Sequence, residues 1–368
     1  RRDIQNNHVS TFDEEFLALL ETICLKIQEI PSCIHFFYTE QLQKEGRFPL
    51  FDCLIIHLHQ NDTSGERSRQ ATQRLLDVAA KDYDDSFTKY ILSTKFSEIV
   101  VHCTISSYTR ICDSYKNQDE ITTAHLNCLI FCSNILSVAP QDVSNRILAE
   151  LQTKLFVGLL MPDFMSDEPL QIIQSSAFIQ YYFRYVNSST MKRLLWKLLL
   201  AGNTEPETKQ DLTKHPLRNK LMNRIVHTDD RVALATLGII GSLLELHDEE
   251  IFHNLVLRNI PIIALPSNQL VENSLKSKKW FLSLKIYNGN STEDEKLFMA
   301  HLHDAQLGVY QSFQKTSEWL YELPNPNTPY QFEGELLFYL FKRLSTMLTN
   351  SKILNYSITE LFLKLIRL

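Results

Sequence analysis

The sequence predicts an all-α protein, an irregular α-solenoid of stacked antiparallel helix pairs in the manner of HEAT or armadillo arrays. Three observations carry this. Apolar residues recur at three- and four-residue steps almost throughout the 368 residues. Glycine numbers only 9, too few for the tight turns that Rossmann folds, barrels and β-sandwiches use. The periodic segments are joined by short polar breaks, and several are apolar on more than one face, as inner helices sandwiched by neighbours must be.

In "FDEEFLALLETICLKIQEI", Phe12, Phe16, Leu19, Leu20, Ile23, Ile27 and Ile30 fall on helical spacing, and Asp13, Glu14 and Glu15 sit at the positive end of the helix dipole. Pro31 opens "SCIHFFYTEQLQ", which Gly46 stops. Further helices are expected at about 49–60, 66–80, 84–113, 120–138, 141–160, 168–186 and 189–201. A second series is expected at about 209–226, 229–246, 248–260, 293–321, 333–349 and 352–368. Start signals recur: "APQD" before 143, "SDEP" before 170 and "TDD" before 231. No strict repeat period emerges, so a single degenerate array over 1–368 is expected, with loops at 202–211 and 261–295. The chain opens on "RRDIQNN" and closes on an amphipathic run without a stop signal, which reads as a fragment of something longer.

Composition excludes several function classes. The formal net charge of −6 and the lack of a long Lys/Arg run argue against nucleic-acid binding. The longest uncharged apolar stretch, "VALATLGIIGSLL", spans 13 residues, short of the roughly 20 that cross a bilayer. All seven cysteines lie within the first 132 residues, in odd number and without a CxxC pair, which predicts reduced thiols in the cytoplasm.

"LELHDEEIFHNLVLR" (244–258) offers His247, Asp248, Glu249, Glu250 and His253, the side-chain types of metal sites and acid–base pairs. On a helix, however, His247 and His253 diverge by about 120°. The plainer expectation is that His247 ends one helix, Asp248 caps the next, and Glu249 and Glu250 complement its dipole. Two HxH pairs, His57–His59 and His301–His303, lie in helical patterns, where i and i+2 point about 200° apart. Cys128 and Cys132 lie at i, i+4, but Leu126, Leu129, Ile130 and Phe131 around them read as core. No nucleotide-binding, nucleophile-elbow or zinc-protease motif occurs. No catalytic residue, metal or cofactor is expected. A metal-dependent hydrolase using these histidines and acids, or a nuclear-transport-type helical-repeat binding protein, are the alternatives.

Four blocks together resemble the FTS- and Hook-interacting protein family, also called the retinoic-acid-induced-like family. The first runs from "FFYTEQLQKEGRFPLFD" through "SGERSRQATQRLLDVAA" (36–80) and contains Phe48, Pro49, Leu50, Phe51 and Asp52. The second, "DDRVALATLGIIGSLLELHDEEIFHNLVLRNI" (229–260), contains Leu255, Leu257 and Arg258. The third, "HLHDAQLGVYQSFQKTSEWL" (301–320), contains His303, Asp304 and Ala305. The fourth, "FEGELLFYLFKRLSTMLTNSKILNYSITELFLKL" (332–365), contains Phe332, Glu333 and Gly334. Their order and rough spacing match the family, while the loop at 261–295 looks shorter than the long acidic one often found there. The resemblance implies a cytoplasmic, non-enzymatic adaptor. Its partners would be a Hook-type coiled-coil protein, an FTS protein (an inactive ubiquitin-conjugating-like fold) and an endosomal Rab GTPase. It would tie vesicles to dynein–dynactin and touch membrane only through partners. The resemblance assigns no partner-contact residue, because the motifs that carry it read as core packing.

Overall fold

A computed structural model describes residues 11–37, 47–81, 86–200, 215–256 and 334–366. The expected all-α, solenoid-like fold is what forms: among the described residues there are helices and no strands. They fall into two compact units, Arg1–Leu198 and Leu199–Leu368. The expected loops at 202–211 and 261–295 and the helix at 293–321 lie outside the described residues.

The first unit begins with α1 (Thr11–Glu29), a short 3₁₀ turn (Pro31–Phe37), α2 (Pro49–Ile55) and α3 (Thr63–Lys81). It continues through α4 (Ser86–Ser93), α5 (Phe96–Asn117), α6 (Thr123–Val138) and α7 (Gln141–Glu150). A π-helical stretch (Leu151–Leu160) joins α7 to α8 (Met161–Met165), and α9 (Pro169–Tyr185) and α10 (Ser189–Leu200) follow. Pro162, which cannot donate to the helical ladder, lies two residues beyond that stretch, inside α8.

α1 packs along α3, and α5 packs against α6, α7 and α9. Small side chains permit the close approach of the central helices: Ser68 and Thr72 on α3, Thr104 and Ser107 on α5, and Cys128 and Cys132 on α6 are all fully buried. Burial pushes the Cys132 thiol up to about 12, as suits a small apolar filler. Farther along, Tyr108 stacks edge-on against Phe178 at 5.0 Å and Phe156 against Tyr182 at 5.5 Å. Tyr182 donates its hydroxyl to the Met191 carbonyl at 3.0 Å, tying α9 to α10.

Several expected helices break or stop early: the one expected at 333–349 ends at Leu344, and two others do so for reasons the hydrogen bonds show, one local and one tertiary. The segment expected as one helix at 84–113 is two, α4 and α5. Thr94 takes over at the break, its hydroxyl donating to the Ile91 carbonyl at 2.7 Å and accepting from the Phe96 amide at 3.2 Å. The helix expected at 49–60 ends at Ile55. Beyond it Ser68 captures the Leu54 carbonyl at 2.5 Å, and Arg69 takes those of Leu58 and Gln60.

The second unit contains α11 (Pro216–Asn223), a 3₁₀ turn (Arg224–Val226), α12 (Asp230–Leu244) and α13 (Glu249–Leu255). Among the described residues, α14 (Glu335–Leu344) and α15 (Lys352–Ile366) follow. Among the described residues, α12 buries Val232, Leu237, Ile240 and Leu244 and packs against the 3₁₀ turn and α15.

Gly65 in α3 is fixed by the turn that follows α2. A Cβ there would lie 2.0 Å from the Gln60 carbonyl oxygen, inside any allowed contact. Gly65→Ala should therefore cost about 1–3 kcal/mol of folding free energy, measured by urea denaturation followed by circular dichroism.

Candidate functional site

The residues singled out by the family blocks are placed on three elements, and the described ones are structural. Phe48 and Phe51 are buried. Phe48 meets Phe87 at 4.5 Å, and Phe51 meets Phe87 at 5.5 Å and Phe96 at 5.2 Å. Pro49 opens α2, where a missing N–H costs nothing, and Leu50 is buried beside it. Asp52 accepts a 2.6 Å hydrogen bond from the Tyr90 hydroxyl. Burial, with help from the Asp52 carboxylate, pushes that phenol up to about 12.

The "SGERSR" stretch that follows locks the turn after α2. Asp62 accepts from the Gly65 amide at 2.9 Å, as a helix cap does. Arg69, buried, donates to the carbonyls of Leu58 and Gln60 at 2.9 and 2.6 Å. The two histidines of the first HxH pair sit in this turn: His57 pairs with the Gln60 side chain at 3.0 Å, and His59 is exposed.

The acid-and-histidine stretch is a helix junction. α12 ends at Leu244, and His247 adopts left-handed backbone geometry with φ 49°. Asp248 then caps α13, accepting from the Ile251 amide at 3.2 Å. Glu249 and Glu250 occupy the first turn and His253 the last. Among the described residues, no three His, Cys, Asp or Glu side chains gather where a metal ion could be held. Leu255 is buried at the end of α13. Leu257, Arg258, His301, His303, Asp304, Ala305, Phe332 and Glu333 lie outside the described residues.

Gly334 carries the key to the fourth block. Its φ of 95°, open to glycine and costly for other residues, stands at the start of α14. The next residue, Glu335, reaches Arg218 of α11 at 3.2 Å, with both side chains only 2% exposed. Arg218 also donates to Asn254 of α13, at 3.1 Å to its carbonyl and 3.4 Å to its side chain. One guanidinium thus joins α11, α13 and α14. A second knot lies at the other end of α14, where Arg343 donates to the His227 carbonyl at 3.0 Å and pairs with Asp230. Asp230 also accepts from the Ser351 amide at 2.8 Å. That amide bond, with the Arg343 charge, holds the Asp230 carboxyl below its ordinary value, and Arg231 does the same for Asp229. Sequence reasoning did not single out Arg69, Arg218, Asn254, Glu335 or Arg343. The only signal was arginine and glutamate inside otherwise apolar helical patterns.

These features define an all-helical, solenoid-like protein whose motif residues, where described, are spent on packing and helix ends. The comparisons agree. The profile of the family described as Retinoic acid induced 16-like protein matches residues 2–125 and 104–260, and the chain belongs to that family. An FHIP family protein of Caenorhabditis elegans is 24% identical over 69% of this chain and 28% of its own. One from Nematostella vectensis is 24% identical over 75% and 33%. The human FHF complex subunit HOOK-interacting protein 1A is 21% identical over 73% and 26%. The chain therefore spans about a quarter to a third of the length of these relatives.

Removing one member of the buried pair leaves the other charged and unmatched. Arg218→Ala should cost about 3–5 kcal/mol, whereas the double change Arg218→Met with Glu335→Leu should recover most of that loss in urea melts. A carboxyl whose folded value is depressed contributes stability above its unfolded value and loses it as pH falls further. The second unit should thus hold its stability through neutral pH and lose part of it below the ordinary Asp value of 3.8. Asp230→Asn should flatten that acid-side decline, as read from thermal melts across a pH series.

Proposed function

We propose that this chain is the helical-array part of a non-enzymatic adaptor in an FTS–Hook–FHIP-type complex, linking endosomal vesicles to dynein–dynactin. The observation that carries the proposal is family membership, with relatives named as a Hook-interacting complex subunit. The chemistry of the chain supports it. The acids and histidines of 247–253 are accounted for by a helix junction, and the family-block side chains that are described are spent on packing. Stacked helices offer long surfaces to protein partners. In this account the partners are a Hook-type coiled-coil protein, an FTS protein and an endosomal Rab GTPase. In this account the chain works in the cytoplasm and meets vesicles through those partners; no described helix is long and apolar enough to cross a membrane.

Pull-down with the C-terminal region of a Hook protein and with FTS, followed by crosslinking and mass spectrometry, tests this. Association with a crosslink pattern mapping to this chain is expected. Absence of binding to both partners contradicts the proposal.

A further inference from the structure

Two cysteines meet across the seam between α5 and α6, and the packing alone does not account for their chemistry. The two helices run antiparallel, with the Ser114 hydroxyl on the His125 ring at 2.9 Å near their junction. Deeper along the seam, Cys103 and Ser107 of α5, one turn apart, face Cys128 of α6, and Thr104 faces Cys132. All five side chains are buried, with Cys103 1% exposed and Cys128 0%. The Cys103 and Cys128 thiols are hydrogen-bonded to each other, and Ser107 adds a second bond to Cys128. The bond from Cys103, with the Arg69 and Arg110 charges, holds the Cys128 thiol below its ordinary value against the opposing effect of burial. That same bond, with burial, pushes Cys103 up. The other buried thiols behave differently: burial takes Cys24 up to about 12 and Cys112 up to about 11. A sulfur favoured as thiolate beside a protonated neighbour is the arrangement of an attacking and a resolving cysteine.

We propose that Cys103 and Cys128 are a redox pair, which hydrogen peroxide converts into a disulfide stapling α5 to α6. The Cys128 thiolate attacks one peroxide oxygen, and the S–O bond forms as the O–O bond breaks. The departing hydroxide takes up the proton that Cys128 gave to solvent and leaves as water. Cys128 is then a sulfenic acid. The Cys103 sulfur attacks it, the S–S bond forms and the S–O bond breaks, and the hydroxyl leaves with the Cys103 proton as a second water. The two thiols lose two electrons in all, and one peroxide is reduced to two waters. Burial selects the oxidant. Peroxide is small and uncharged and enters through brief local openings of the helices, whereas glutathione is too large to form a mixed disulfide in the closed seam. Because α5 packs against α6, α7 and α9, the staple fixes the middle of the first unit, and a reductant releases it.

Peroxide treatment of the folded chain, followed by alkylation, tryptic digestion and mass spectrometry, tests this. The expected product joins peptide 96–110 to peptide 117–146 and is lighter than the two reduced peptides by two hydrogens. Peptide 117–146 carries both Cys128 and Cys132, so the bond is assigned in two ways. Fragmentation of the linked peptides from the unaltered chain should place it at Cys128, whatever the variants do to folding. Cys132→Ala should keep the crosslink and Cys128→Ala should lose it. Hydrogen exchange of the oxidised chain should slow across 96–117 and 123–138 together, and dithiothreitol should restore the original rates. Cys103 and Cys128 that both remain open to alkylation after peroxide overturn the proposal. So does a bond made through Cys132, a crosslink that forms only in urea, or one that leaves exchange in both helices unchanged.

Discussion

A helical array must satisfy the backbone carbonyls its helices leave behind wherever they stop, and here buried arginines meet that constraint. Arg69 takes the carbonyls of Leu58 and Gln60 after α2. Arg218 takes that of Asn254 near the end of α13, and Arg343 takes that of His227 after the 3₁₀ turn. In each case the guanidinium comes from another helix, so one side chain both closes a helix end and joins two elements. A planar group with five donors suits this work, and lysine could not replace it. The two arginines of the second unit also face carboxylates, Glu335 for Arg218 and Asp230 for Arg343, which compensates for burying the charge.

This constraint explains what the family blocks are for. The "FPLFD" stretch supplies an aromatic cluster, Phe48 and Phe51 against Phe87, and "SGERSR" supplies Gly65 and Arg69 to the turn beside it. The "FEGE" stretch places Glu335 on Arg218 through the φ of Gly334. Such residues hold helices in register.

Much of the architecture was legible in the sequence, because amphipathic spacing is a local property and so are the caps at Asp229 and Asp248. The junction at His247 could be read for the same reason: a capping acid with carboxylates behind it announces itself within a few residues. What failed to show was decided by contacts from elsewhere in the chain or by a local hydroxyl with more than one backbone partner open to it. The stop at Ile55 depends on Ser68 and Arg69 of the next helix. The break at Thr94 depends on a hydroxyl that bonds backward and forward at once, which threonine equally offers inside a helix, as Thr104 does. The Arg218–Asn254–Glu335 knot was invisible because its members lie far apart in sequence, and a buried arginine looks the same as an exposed one in a helical pattern.

The central claim is that one buried guanidinium holds α11, α13 and α14 together. Native-state hydrogen exchange, compared between the chain and its Arg218→Met variant, tests it most directly. The account predicts faster exchange in the variant across 216–223, 249–255 and 335–344 together, with the first unit unchanged. Loss of protection confined to α11, or protection unchanged in all three segments, would contradict it.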